Sequence, residues 1–283
     1  MPTDEPVSSA MNAEKITRQS KSNLALAFVS LGRERRADVT TFYAFCRLID
    51  DIADAPELSV PAKAERLSQW RRSLAAAQTG EPQIAPAVRA LLAKYELSAA
   101  MLEEIIAGVE MDLTISRYRT FAELRVYCYR VASTVGLVSI EIFGYRNERC
   151  RDYAIELGLA LQTTNIIRDV AKDLRIDRIY LPQEEIEQFG YSEDDLRRGK
   201  YNDSFVALMQ FQADRARSFY EKAKALLPRE DRRSMIAAEI MNDVYRSLLR
   251  RMEQDRFRVF AKDYRLNRLQ KAGRVAAQLL RFR

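Results

Sequence analysis

Hydrophobic positions recur at steps of three and four residues along nearly the whole chain, the spacing that gathers them on one face of an α-helix. The pattern is clearest between residues 121 and 144, where Leu124, Cys128, Val131, Val135, Val138 and Ile142 follow at those steps. It predicts helices over about 12–30, 34–55, 61–78, 84–94, 98–116, 121–144, 149–173, 203–227, 231–260 and 264–281. Breaks fall at Asp54-Ala55-Pro56, Gly80-Glu81-Pro82, Leu181-Pro182 and Leu227-Pro228. Residues 174–202 read as a loop with short helical turns, and residues 1–11 as a disordered polar tail. No run alternates with strand period between turn residues, and no tandem repeat or linker-like composition divides the remainder. The expectation is a single all-α domain over 12–283. No apolar run is expected to reach bilayer-spanning length, and the N-terminus has no signal-peptide pattern. A cytoplasmic protein follows, with membrane contact only from the surface.

Composition narrows the chemistry. Hydrophobic residues make up 47% of 283 positions, enough for a sizeable core, and with only 9 Gly and 8 Pro helix breakers are scarce. The absence of histidine removes Ser-His-Asp and Cys-His nucleophiles and histidine metal sites together. Cys46, Cys128 and Cys150 are odd in number and widely spaced, as for free thiols in a reducing compartment. No Gly-x-Gly-x-x-Gly or GxxxxGK[ST] loop occurs. The net charge of +6 suits an anionic substrate, an anionic lipid surface or nucleic acid, and does not choose among them.

The choice comes from acidic residues in apolar helices. In TFYAFCRLIDDIADA (41–55), Asp50 and Asp54 are one helical turn apart and share a face, where like charges weaken a helix. Tyr43 and Arg47 extend that stripe; Asp51 lies about 100° around from Asp50. A second stripe, in QTTNIIRDVAKD (162–173), carries Gln162, Asn165, Asp169 and Asp173. A lone DxxxD is usually a solvated face. Two of them, each in an apolar helix and each joined by further polar residues, suit facing carboxylates with hard cations between. Mg²⁺ fits, since it takes oxygen ligands from a few carboxylates together with substrate phosphates. Cys and His sites are not available.

YAFCRLIDDIAD (43–54) and QTTNIIRDVAKDLRIDRIYLP (162–182) resemble the two aspartate-rich signatures of the squalene/phytoene synthase family. YCYRVASTVG (127–136) resembles its third block and QSKSN (19–23) its N-terminal block, in matching order from about residue 15 to 270. The resemblance implies an isoprenoid synthase fold, Mg²⁺ (or Mn²⁺ in its place), and head-to-head joining of two isoprenyl diphosphates. It makes Asp50, Asp54, Asp169 and Asp173, with Asn165, the expected metal ligands. Arg47, Arg168, Tyr180, Ser20 and Lys21 match positions that contact diphosphate oxygens. Tyr127 matches the tyrosine that steers the carbocation step, with Tyr43 in the same cavity. Val131, Gly136 and Gln162 fall where prenyl tails and the cavity wall are expected. Met241 stands where some members carry a tyrosine against a diphosphate, and Tyr245, one turn later, is expected to take over that contact.

AAEIMNDVYRSLLRRMEQDRFRVF (237–260) and GVEMDLTISRY (108–118) resemble the bacterial presqualene diphosphate synthases of the hopanoid pathway. Farnesyl diphosphate is thus the expected substrate. Phytoene synthase, using geranylgeranyl diphosphate, is the nearest alternative. A full squalene synthase would add NADPH, which that fold binds without a Gly-rich loop. A basic helical nucleic-acid-binding module is a remote rival, since scattered arginines come with no recognition-helix motif. The basic, amphipathic C-terminus RLNRLQKAGRVAAQLLRFR (265–283) is expected to touch an anionic membrane surface through Leu266, Leu269, Val275, Ala276, Leu279 and Leu280.

Overall fold

A computed structural model describes residues 27–281. The expectations for Ser20, Lys21 and the N-terminal tail lie outside the described residues. After a short turn at Phe28–Ser30, helices follow at α1 Arg33–Asp54, α2 Val60–Ala75, α3 Ala85–Lys94, α4 Ala99–Thr114 and α5 Phe121–Cys128. A π-helical turn, Tyr129–Ser133, joins α5 to α6 Thr134–Phe143. The rest comprises α7 Arg149–Asp173, α8 Gln183–Gln188, α9 Glu193–Arg197, α10 Asp203–Leu226, α11 Ile236–Gln254 and α12 Arg268–Arg281. Among the described residues no strand forms; the nearest approach is an isolated parallel bridge between Arg117 and Ile179. The all-α architecture is what the helical periodicity predicted.

Side-chain caps set several helix starts. Ser59, Ser98, Thr120, Ser192 and Asn202 each accept a hydrogen bond from a backbone N–H in the first turn of the helix that follows. The helix expected over 231–260 is shorter, because Arg256 and Phe257 take left-handed backbone (φ 50° and 56°) and end α11 at Gln254. The loop expected over 174–202 does contain short helices, α8 and α9.

The central element is α7. It packs against α10, the π turn, α6 and α11, while α4 packs against α1, α2 and the π turn. Two close approaches need glycine. A Cβ at Gly158 would lie 2.5 Å from Ser133 Cα, and one at Gly108 would lie 2.7 Å from Arg130 Cβ. Both glycines seat their helices against the π turn, a feature that often marks functional sites.

Two expectations change. The continuous stretch Phe121–Phe143 is, by length and composition, apolar enough to cross a bilayer, although none was expected. Half of it is buried inside the protein, as in a core helix. The face expected to be free at the C-terminus is partly used: Leu266 and Val275 are buried, Leu269 is exposed, and Arg274 donates to Ser247 Oγ on α11 (2.6 Å).

Candidate active site

The C-terminal ends of α1 and α7 meet α4 and α5 around an open cavity of about 340 Å³. Asp50 and Asp54 line it from α1; Gln162, Asn165, Arg168, Asp169 and Asp173 line it from α7; Tyr127 and Val131 line it from α5 and the π turn. The two acidic stripes therefore come together as the sequence predicted.

The carboxylates differ in their surroundings. Asp50, with burial of its surroundings as the first cause and Asp54, Asp112 and Asp51 adding repulsion against the pull of Arg47, is pushed up to about 7, although its side chain stays open to cavity water. Asp173, half-buried, is pushed up to about 7 by burial and then by Asp169. Asp169 goes the other way. Burial raises it, but Arg168 (Nε to Oδ2, 3.0 Å) and Lys172 (Nζ to Oδ1, 2.7 Å) together hold it below the usual carboxylate range. Arg168 also hydrogen-bonds Tyr245 on α11, which brings that tyrosine to the edge of the acidic site.

Other expected residues sit elsewhere. Arg47 pairs with Asp51 (2.5 Å) on a half-exposed face of α1, and Tyr43 packs edge-on against Phe28 (ring centroids 6.1 Å apart). Neither is among the cavity's lining residues. Gly136 and Met241 line a separate apolar slot of about 90 Å³, walled also by Phe28, Phe143, Ala154 and Gly158. Among the described residues none lines both the slot and the cavity, but the same two elements contribute to each. Val131 faces the cavity and Ala132 the slot, as do Gln162 and Leu161.

Two charged cavity residues had been given no role: Asp112 on α4 and Arg178 in the loop after α7. The loop is laid beside residues 116–119 by backbone bonds from Ile179 N to Ser116 O and from Gln183 N to Tyr118 O, both 2.9 Å. That path delivers Arg178 and Tyr180 to the cavity. Arg178 reaches Asp54 Oδ1 (3.3 Å) and donates to the Asp112 backbone carbonyl (3.2 Å). The Asp112 carboxylate accepts from the Tyr180 hydroxyl (2.7 Å) and the Tyr127 hydroxyl (3.1 Å). Burial, then the Asp112 charge, pushes the Tyr127 hydroxyl well above its ordinary range, so it is a neutral phenol. The signal in the sequence was a lone carboxylate one helical step beyond Val109, on the stripe that Leu102, Ile105 and Ile106 make apolar.

The sequence profile of the squalene/phytoene synthase family matches residues 17–273. The chain belongs to the squalene/phytoene synthase family. Its members are prenyltransferases that act on isoprenyl diphosphates, and this chain is one. The 15-cis-phytoene synthase of Synechococcus elongatus is 37% identical over 264 residues, covering 88% of this chain and 85% of that protein. The phytoene synthase of Mycobacterium tuberculosis is 35% identical, covering 94% and 89%. Among solved structures, squalene synthase HpnC from Alicyclobacillus acidocaldarius superposes with a TM-score of 0.75 at 26% identity, over 88% of this chain and 95% of that one.

The donor set can be tested against the metal that this family implies. Among the described residues, no group of three or more acidic, Cys or His side chains converges to chelate a bare ion. Mg²⁺ does not need one, because it keeps waters and takes phosphate oxygens beside one or two carboxylates. Asn165 Oδ1, which lines the cavity with Asp50 and Asp173, is buried with no hydrogen-bond partner among the described residues. These residues fit a hard cation completed by substrate.

Proposed function

We propose that this prenyltransferase joins two identical isoprenyl diphosphates head to head, holding the diphosphates between the ends of α1 and α7. One observation carries the reading: an acidic cavity and an apolar slot are lined by consecutive residues of the same two elements, Val131 and Ala132 on the π turn and Leu161 and Gln162 on α7, which suits a charged head and a hydrocarbon tail held side by side. Asp50, Asp54, Asn165, Asp169 and Asp173 would hold Mg²⁺, or Mn²⁺, which when bound neutralises charge on the departing diphosphate. Arg168 and Tyr245 would donate to diphosphate oxygens, with Ser20 and Lys21 completing that set, while the Tyr180 hydroxyl gives its proton to Asp112. Arg47 joins them only by leaving Asp51.

The chemistry asks these side chains for three things. The allylic C–O bond breaks with its electron pair leaving on diphosphate, so the donors must strengthen as that charge grows. The allylic cation must then meet the second substrate's double bond before water, which the apolar residues around Val131 and Gly136 favour. The coupled cation finally loses a proton to become neutral. Tyr127, a neutral phenol in the wall, steers the cation without taking that proton.

Relatives named phytoene synthase at 35–37% identity support geranylgeranyl diphosphate over the farnesyl diphosphate that the sequence favoured. One observation supports the farnesyl reading, with presqualene diphosphate as its product: the slot is small, about 90 Å³, which suits a shorter tail. Products formed from each substrate, with and without NADPH, decide between them. Asp50→Ala, Asp54→Ala, Asp169→Ala and Asp173→Ala are each expected to abolish turnover with the helical fold intact; near wild-type activity at limiting Mg²⁺ removes that residue from the site. Surface contact with anionic lipid through α12 belongs to the same proposal, supported by exposed Leu269 and Arg265. Equal vesicle binding by the full chain and one ending at Asp263 would remove it.

A further inference from the structure

Asp112 is a nearly buried carboxylate at the cavity, its side chain 10% exposed, and its strong bonds go to phenols rather than to a cation. Each of its oxygens takes one hydroxyl: Oδ1 that of Tyr180 (2.7 Å) and Oδ2 that of Tyr127 (3.1 Å). The nearest cation, Arg178 Nη1, is 3.9 Å away and is shared with Asp54. The two phenol rings stack at 5.1 Å with 22° between their planes. Tyr118 closes the cluster behind them at 5.7 and 6.1 Å. A phenol has a single proton to give. The two hydroxyls also lie 3.3 Å apart, and with both protons turned toward Asp112 the oxygen lone pairs not used within this triad are what remain for the cavity, and they are electron-rich.

We propose that Asp112 is a positioning residue: by accepting both hydroxyl protons it fixes Tyr127 and Tyr180 with their negative ends toward the carbocation. This rests on the head-to-head reading of the cavity. Asp112 itself touches no substrate, forms no bond and moves no proton. Without it the hydroxyls are free to turn, and their protons can point at the cation or at leaving diphosphate. The cation then survives less well and is captured by water as a prenyl alcohol.

The test compares wild type with Asp112→Asn, Tyr127→Phe, Tyr180→Phe, the double variants that add Asp112→Asn to each, the Tyr127→Phe, Tyr180→Phe double variant, and the triple variant. Asn keeps the volume and one acceptor oxygen, so a folded protein is expected by circular dichroism. With geranylgeranyl and farnesyl diphosphates, Asp112→Asn should lower kcat roughly ten- to a hundredfold, the range of hydrogen bonds to a charged group, with KM little changed. The share of prenyl alcohol should rise. In the Tyr127→Phe, Tyr180→Phe background, Asp112→Asn should add almost nothing, since it acts through the hydroxyls already removed. Fully multiplicative losses, or a raised KM at constant kcat, overturn the proposal. A readout independent of turnover is the ¹⁹F resonance of 3-fluorotyrosine placed at 127 or 180. Asp112→Asn should shift at least one of the two, and unchanged resonances at both overturn the proposal even if neither substrate reacts. A wild type inert toward both diphosphates that still shows the shift defeats the functional reading and leaves the positioning standing.

Discussion

Replacing Asp173 with asparagine should stabilise the metal-free protein, most fully at neutral to alkaline pH. In the unfolded chain this carboxyl loses its proton near pH 4; in the folded protein burial and Asp169 move that loss to about pH 7. Between those values the folded state holds a proton that the unfolded state has released, so stability falls as pH rises through the window. The penalty is complete above about pH 7 and absent below both values. The gap between 3.8 and about 7 corresponds to about 4 kcal/mol as a ceiling. Asp173 is only half-buried, and cavity water screens it, so about 1–2 kcal/mol is expected. That raises the melting temperature by about 2–6 °C. Thermal unfolding followed by circular dichroism in EDTA should show the gain at pH 8, with about a third of it left at pH 5. Adding Mg²⁺ with inorganic diphosphate should stabilise wild type more than Asp173→Asn. A variant less stable than wild type at pH 8, or a gain independent of pH, would refute the reasoning.

Two further pairs of substitutions probe the packing of the frame. Gly158→Ala places a Cβ 2.5 Å from Ser133 Cα and should cost about 1–3 kcal/mol in urea unfolding, whereas Gly273→Ala, with nothing within 4 Å, should be neutral or stabilising by up to about 1 kcal/mol. Arg215→Met strands Glu185, only 4% exposed, which accepts from Arg215 Nη1 at 2.9 Å and Gln212 Nε2 at 2.6 Å; a loss of about 3–5 kcal/mol is expected. Adding Glu185→Leu should recover much of that loss, and no recovery would mean that the ion pair is not its source.

The sequence made the acidic half of the site legible because both aspartate pairs repeat within one helix, where i, i+4 spacing is visible without a fold. Asp112 has no such partner. Its neighbours Tyr127 and Tyr180 arrive from 15 and 68 residues away, so its role exists only after α4, α5 and the loop have packed. Arg178 was hidden for a related reason, since its place depends on backbone bonds from the 178–184 loop to residues 116–119. Helix ends were legible where a proline or cap marks them, as at Ser59 and Asn202. The end of α11 was not, because Phe257 and Val259 carry buried apolar side chains past a left-handed turn that no glycine announces.

The most direct measurement is a product analysis of the purified chain given geranylgeranyl or farnesyl diphosphate, with Mg²⁺ or with EDTA. Head-to-head joining predicts a coupled product of twice the substrate's carbon number from one or both, with diphosphate released, and no product in EDTA. Prenyl alcohol alone from both substrates, or coupling undiminished by EDTA, would contradict it.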